Sequence, residues 1–166
     1  MGGSALLQVE HERKEGTPPP CDLAREKTLH DALLGLIETG VVKSAHDCAE
    51  GGLAVALAEC AISELTARQT PKLTGAEIDL SEAECERLDA LLFGEAHGRV
   101  IITTCEAEAG AAVDRAKLLG VPATRIGSVT GSDTLDFKAG DNSLSWKLSD
   151  LHDVWWNAIA RVMDKK

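Results

Sequence analysis

Apolar and polar positions change period several times along the chain, and each change marks an element. Leu29, Leu33, Leu36 and Ile37 recur at helical spacing and Gly40 closes the run, predicting a helix over 22–39. Val41-Val42 opens a short strand leading to His46. After Gly52, the positions Leu53, Ala56, Leu57, Cys60 and Ala61 repeat a helical stripe of mostly small side chains, suited to close packing on a sheet. Residues 66–75 read as a loop. From Ala76 to Leu80 the period falls to two, with Ile78 and Leu80 facing one way and Glu77 and Asp79 the other. Ser81-Glu82-Ala83-Glu84 has capping-box order and predicts a helix over 82–92. Val100-Ile101-Ile102-Thr103-Thr104 is β-branched throughout and predicts a buried central strand.

The second half continues the alternation. A helix over 107–119 should end at Gly120, with Pro122 behind it. A strand over 125–130 follows, then a hairpin of 135–138 and 144–148 around Gly140-Asp141-Asn142. A final helix over 150–163 would place Leu151, Val154, Trp155, Ala158, Ile159 and Val162 on one face. Trp155 and Trp156 point about 100° apart on a helix, so one ring is expected in the core and the other on a partner surface. The order predicts an α+β (mixed αβ) fold, a mixed β-sheet covered by helices. Residues 1–20 show little periodicity, and Gly16-Thr17-Pro18-Pro19-Pro20 reads as a stiff connector. The expected layout is an extended N-terminal segment or linker over 1–20 and a single domain over 21–166.

Composition narrows the function classes. The 166 residues suffice for one ordinary domain, and 44% hydrophobic with 27% charged residues is a globular mix. The net charge of −10, scattered Lys and Arg and 3% aromatics argue against a nucleic-acid surface. No apolar run is long enough to span a bilayer and the first residues are not a signal peptide, so a cytoplasmic protein without membrane contact is expected. Cys21, Cys48, Cys60, Cys85 and Cys105 are widely spaced with no C-x-x-C, which predicts reduced thiols.

Two segments could carry chemistry. In His46-Asp47-Cys48-Ala49-Glu50-Gly51-Gly52 a strand end delivers polar groups to a helix N-terminus, whose N–H groups and dipole favour an anion. Asp47 is the candidate metal ligand for Mg2+, and His46, Gly51 and Gly52 the candidate phosphate or nucleotide contacts. The competing reading makes Asp47 a cap and His46 a packed side chain. The second segment, Phe93-Gly94-Glu95-Ala96-His97-Gly98-Arg99, holds Glu95 and His97 as possible acid–base groups, against a solvated turn. The serines lack a nucleophile elbow, and no residue is assigned as catalytic.

Four ordered blocks carry a resemblance. Ser44-Ala45-His46-Asp47-Cys48-Ala49-Glu50-Gly51-Gly52-Leu53-Ala54-Val55-Ala56-Leu57-Ala58-Glu59 closely resembles a signature of the phosphoribosylformylglycinamidine synthase family. Leu92-Phe93-Gly94-Glu95-Ala96-His97-Gly98-Arg99-Val100 resembles its L-F-G-E block, Gly2-Gly3-Ser4-Ala5-Leu6-Leu7 a block before its last domain, and Gly120-Val121-Pro122-Ala123-Thr124-Arg125-Ile126-Gly127-Ser128-Val129 a further one. Selenophosphate synthetase and related enzymes share the domain type but differ in their glycine blocks.

The resemblance implies a C-terminal domain of the aminoimidazole-ribonucleotide-synthetase C-terminal type, cut from a larger enzyme, with Met1 an introduced start. That family uses ATP and Mg2+ to activate the amide oxygen of formylglycinamide ribonucleotide as a phosphate ester, which ammonia from glutamine then displaces. It implies as partners the remaining domains of the synthase and a glutaminase domain or subunit, with self-association of an isolated copy plausible from an open sheet edge. Most nucleotide ligands would lie outside this chain, and the chain would be inactive alone. The family's aspartate at a second nucleotide site falls on Asp47, but its serine falls on Ala49, which has no hydroxyl, and Glu50 stands at the second acid. The alternative is a stand-alone, non-catalytic phosphate-binding or assembly module of the same fold.

Overall fold

The computed structural model describes residues 2–62, 73–83, 85 and 87–164. The loop expected over 66–75 falls mostly outside them. The chain divides into two compact units, Met1–Ala56 with Arg87–Arg125 and Leu57–Glu86 with Ile126–Lys166.

The first unit is mainly helical. Its longest helix, α2 (Leu23–Glu38), starts where Asp22 Oδ1 accepts from the N–H groups of Ala24 and Arg25 at 3.0 and 3.2 Å. Ala32 and Leu36 of that helix are buried, together with Leu92, Ala112 and Ala116 from α4 (Leu88–Phe93) and α5 (Ala109–Leu118). Strands β1 (Ser44–Asp47) and β3 (Val100–Thr103) pair antiparallel, Ser44 opposite Thr103 and Asp47 opposite Val100.

The second unit holds a mixed sheet in the order β4-β2-β5-β6, from β2 (Gly75–Asp79), β4 (Gly127–Thr130), β5 (Thr134–Ala139) and β6 (Asn142–Lys147). The β2–β5 pair is parallel and the other pairs antiparallel. One face carries Ile78, Leu135 and Phe137 into the core, with Phe137 edge-on to Trp146 at 5.4 Å. Leu57, Ala61 and Ile62 of α3 (Gly52–Ile62) are buried as well. The opposite face is polar, and the register sets Ser128, Glu77, Asp136 and Ser145 in one row across the four strands. The fold is α+β with a mixed sheet, as the periodicity predicts.

Several expectations change in detail. The segment 1–20 is not extended throughout: α1 (Ala5–His11) lies within it, capped by Ser4, with its first N–H held by a carboxylate distant in sequence. The first strand begins at Ser44 rather than Val41, although Lys43 N–H still reaches Thr103 O at 2.8 Å. The capping box at Ser81 does not start a helix. Asp79 Oδ1 takes the Ser81 N–H at 2.9 Å and Ala83 N–H bonds Leu80 O, closing a turn; Glu84 lies outside the described residues, and α4 starts at Leu88. The strands form two sheets among the described residues, so β3 is half-buried with β1 as its one partner rather than central. The last helix is in two pieces, α6 (Leu148–Trp156) and α7 (Ala158–Met163), stepping at Asn157.

Candidate functional site

Three of the four sequence blocks converge on one carboxylate in the first unit. Glu95 Oε1 accepts from Ala5 N–H at 2.8 Å and from Gly51 N–H at 2.9 Å. It thereby ties the start of α1 and the turn before α3 to the loop after α4. Arg99 closes the same loop from behind: its guanidinium donates to Gly94 O at 2.7 Å and, at 3.4 Å, to Leu91 O, the exposed carbonyl end of α4. The Arg99 carbonyl accepts from Cys48 N–H at 2.9 Å, which extends the β1–β3 ladder to the end of the His-Asp block.

The Gly-Gly pair has a packing reason. Gly51 and Gly52 sit at φ +79° and +70°, in the left-handed region. A Cβ on Gly52 would lie 2.8 Å from Gly94 O and 2.9 Å from Leu92 O. Glycine lets α3 start directly against the backbone of the Phe93-Gly94 block.

The polar residues of the turn are arranged differently from one another. His46 is half-buried, and its Nδ1 lies 2.8 Å from its neighbour's carbonyl, Asp47 O, and 3.9 Å from Asp47 Oδ1. The Asp47 side chain is 75% exposed at the strand end. Ala49 and Glu50 are exposed in the turn, and Gly52 N–H bonds Ala49 O at 3.3 Å. Cys48 is buried at 6% exposure; burial pushes its thiol up, Arg99 pulls it down and Asp47 adds to the rise. His97 is exposed, while Glu95, two residues before it, is half-buried.

This geometry limits the chemistry. The Gly51 N–H, a donor to an incoming anion in the sequence reading, is engaged by the carboxylate of Glu95. Ala49 offers no hydroxyl. Asp47 fits an Mg2+ ion as a single exposed oxygen ligand, and among the described residues no group of three His, Cys, Asp or Glu side chains is gathered for a metal. A complete ion shell would therefore draw on oxygens from outside this group. Sequence reading singled out Glu95 for proton transfer; its bridging role rests on separations of 90 and 44 residues, which local spacing does not reveal. Ser4 is buried and caps α1 next to the bridge, a role that no local spacing in its block signals.

Comparison with known proteins places this arrangement. The family model described as "AIR synthase related protein, C-terminal domain" matches residues 1–140. The chain is similar to phosphoribosylformylglycinamidine synthase subunit PurL of Anaeromyxobacter dehalogenans, 38% identical over 98% of this chain and 21% of that protein. Against the same subunit of Deinococcus radiodurans the identity is 39%, again over 98% of this chain and 21% of the relative. The chain thus spans about a fifth of the length of these curated relatives. Among solved structures, "T. maritima PurL complexed with ATP" superposes with a TM-score of 0.67 at 20% identity, covering 91% of this chain and 24% of that one. "Structure of PurLQS from Thermotoga maritima" gives 0.64 at 19%, covering 91% and 25%. Both support the fold. With its four blocks in order and the family model covering residues 1–140, this chain belongs to the AIR synthase related protein, C-terminal domain family.

Proposed function

We propose that this chain is the C-terminal part of a phosphoribosylformylglycinamidine synthase, with residues 21–166 working as one synthetase C-terminal-type domain behind the N-terminal segment. The observation that carries the reading is the meeting of three family blocks at Glu95, joined to the likeness with PurL along nearly the whole chain. In this reading the assembled enzyme amidates formylglycinamide ribonucleotide with ammonia from a glutaminase partner, at the expense of ATP, in the cytoplasm. In this reading the chain is inactive alone.

The His-Asp-Gly-Gly turn contributes Asp47 as one carboxylate for Mg2+, which when bound would offset phosphate charge. His46, Gly51 and Gly52 are the proposed nucleotide contacts. A second reading, a non-catalytic module, draws support from the Gly51–Glu95 bond and from Ala49. Two measurements separate them. Added to the D. radiodurans subunit lacking its matching fifth, the chain should restore ATP-dependent amidation; no recovery despite complex formation sinks the synthase reading. Millimolar Mg2+-ADP should raise the melting temperature of the chain, and Asp47→Asn should remove the rise. No shift in either protein favours a structural role for the turn.

A further inference from the structure

The N-terminal segment and the His-Asp-Gly-Gly turn share an acceptor. Glu95 Oε1 takes the N–H of Ala5 at 2.8 Å and that of Gly51 at 2.9 Å. Packing alone does not fix this carboxylate. Glu95 is half-buried and borders a groove of about 430 Å3, together with Gly94, Arg99 and Pro18-Pro19-Pro20. A side chain with open space beside it is held by its bonds, and ordering a glutamate costs rotamer freedom. Two bonds to the same oxygen meet that cost once, so each bond makes the other easier to form.

The segment holds its end of the pair through its own fold. Gly3 N–H reaches Glu15 O at 2.9 Å, so residues 3–15 close a loop around α1. Gly16 sits at φ +95°, and a Cβ there would lie 2.8 Å from Gly2 Cα. Buried Ser4 accepts from Leu7 N–H, which sets the first turn of α1 and with it the Ala5 N–H. At the other end, Cys48 N–H is tied to Arg99 O at 2.9 Å, whereas within the turn Gly52 N–H bonds Ala49 O at a longer 3.3 Å. The Gly51–Glu95 bond is thus the firmer hold between Cys48 and the start of α3.

We propose that Glu95 is a positioning residue: it sets the Gly51 amide and the turn that follows Asp47, and through Ala5 it makes that setting depend on the folded N-terminal segment. The proposal deepens the nucleotide reading of the turn and rests on it for its use, but its main test needs no nucleotide. Ala5→Pro removes one of the two donors. Ala5 is the first residue of α1, where proline is favoured, and Ser4 is extended at φ −69° and ψ 155°, which suits a residue before proline. Gly16→Ala loosens the same segment away from Glu95. Amide exchange is followed residue by residue by NMR in the isotope-labelled chain. Each variant should speed exchange at Gly51 by about fivefold or more, well beyond any change at Leu36 and Ala116 in the core. Ala5→Pro added to Glu95→Ala should change Gly51 no further. Glu95→Gln, which keeps the acceptor, should stay closer to the parent than Glu95→Ala. Unchanged exchange at Gly51 in Ala5→Pro would overturn the proposal. So would an Ala5→Pro effect of the same size with and without Glu95. Calorimetric titration with Mg2+-ADP separates the two readings. Binding to the parent that Ala5→Pro weakens by about fivefold or more supports both. Equal affinity of parent and Ala5→Pro overturns the positioning role and keeps the nucleotide reading. No binding to either removes the nucleotide reading, and the exchange rates then decide the positioning role by themselves.

Discussion

One oxygen of Glu95 takes two backbone donors from segments far away in sequence, which makes this side chain expensive to remove. Hydrogen bonds to a charged group contribute about 1.5–3 kcal/mol each, and a half-buried site keeps part of that. Glu95→Ala should therefore cost about 2 kcal/mol in urea unfolding, while Glu95→Gln, which keeps the acceptor, should cost about half as much. Equal losses in the two variants would show that the cost is packing rather than the shared acceptor. Gly52→Ala meets a positive φ and the Phe93-Gly94 backbone together, and should cost at least about 2 kcal/mol. Cys48 tests the same region by chemistry. Its thiol is buried and held protonated to higher pH, so iodoacetamide at pH 8 should modify Cys21, Cys60 and Cys105 well before it. The raised value means its share of stability is full below the ordinary thiol range and is lost as pH climbs through the folded value. Mass spectrometry showing early modification of Cys48 in the native chain would contradict the burial described.

At the scale of elements, local signals located most of the fold and missed what depends on distance. Asp22 and Gly40 bracket α2 because a cap and a stop act within a turn. The hairpin was legible because Gly140-Asp141 sits between two alternating runs, and the register puts Ala139 opposite Asn142. By contrast α1 has only seven residues and is held by Glu95 from 90 residues away, so its periodicity was too short to read. The Ser81 capping box failed because Asp79 reached the Ser81 N–H first. The His-Asp-Gly-Gly block was legible as a family mark, yet its glycines are explained by a backbone approach that only the folded chain displays. The start of α5 offers a test with a definite sign. Glu106 is held below the usual carboxylate range by the paired guanidinium of Arg125, at 2.7 and 2.8 Å. A depressed carboxyl contributes stability above its unfolded value and loses it as pH falls through its folded value. Arg125→Gln should thus be less stable than the parent near pH 7, and the gap should close as pH drops below the carboxylate range. A gap that persists there in denaturant titrations would assign the effect of Arg125 to packing.

At the scale of the whole molecule, charge and burial compete in a way that salt can resolve. Twenty-seven acidic residues face seventeen basic ones, so the chain repels itself on balance. Among the described residues the ion pairs that oppose this include exposed ones: Lys27–Asp31, Lys138–Asp79 and Arg125–Glu106 all leave both partners substantially exposed. Such pairs contribute about 0–1 kcal/mol each and are screened by the same salt that screens the repulsion. Repulsion runs over the whole surface, while the pairs act only locally. At low ionic strength the Debye length of about 30 Å lets most like charges feel each other, and near 0.15 M it falls to about 8 Å. Raising NaCl from 10 to 150 mM should therefore raise the melting temperature by about a few degrees. A fall over that range, read by calorimetry, would mean that the exposed pairs outweigh the net charge.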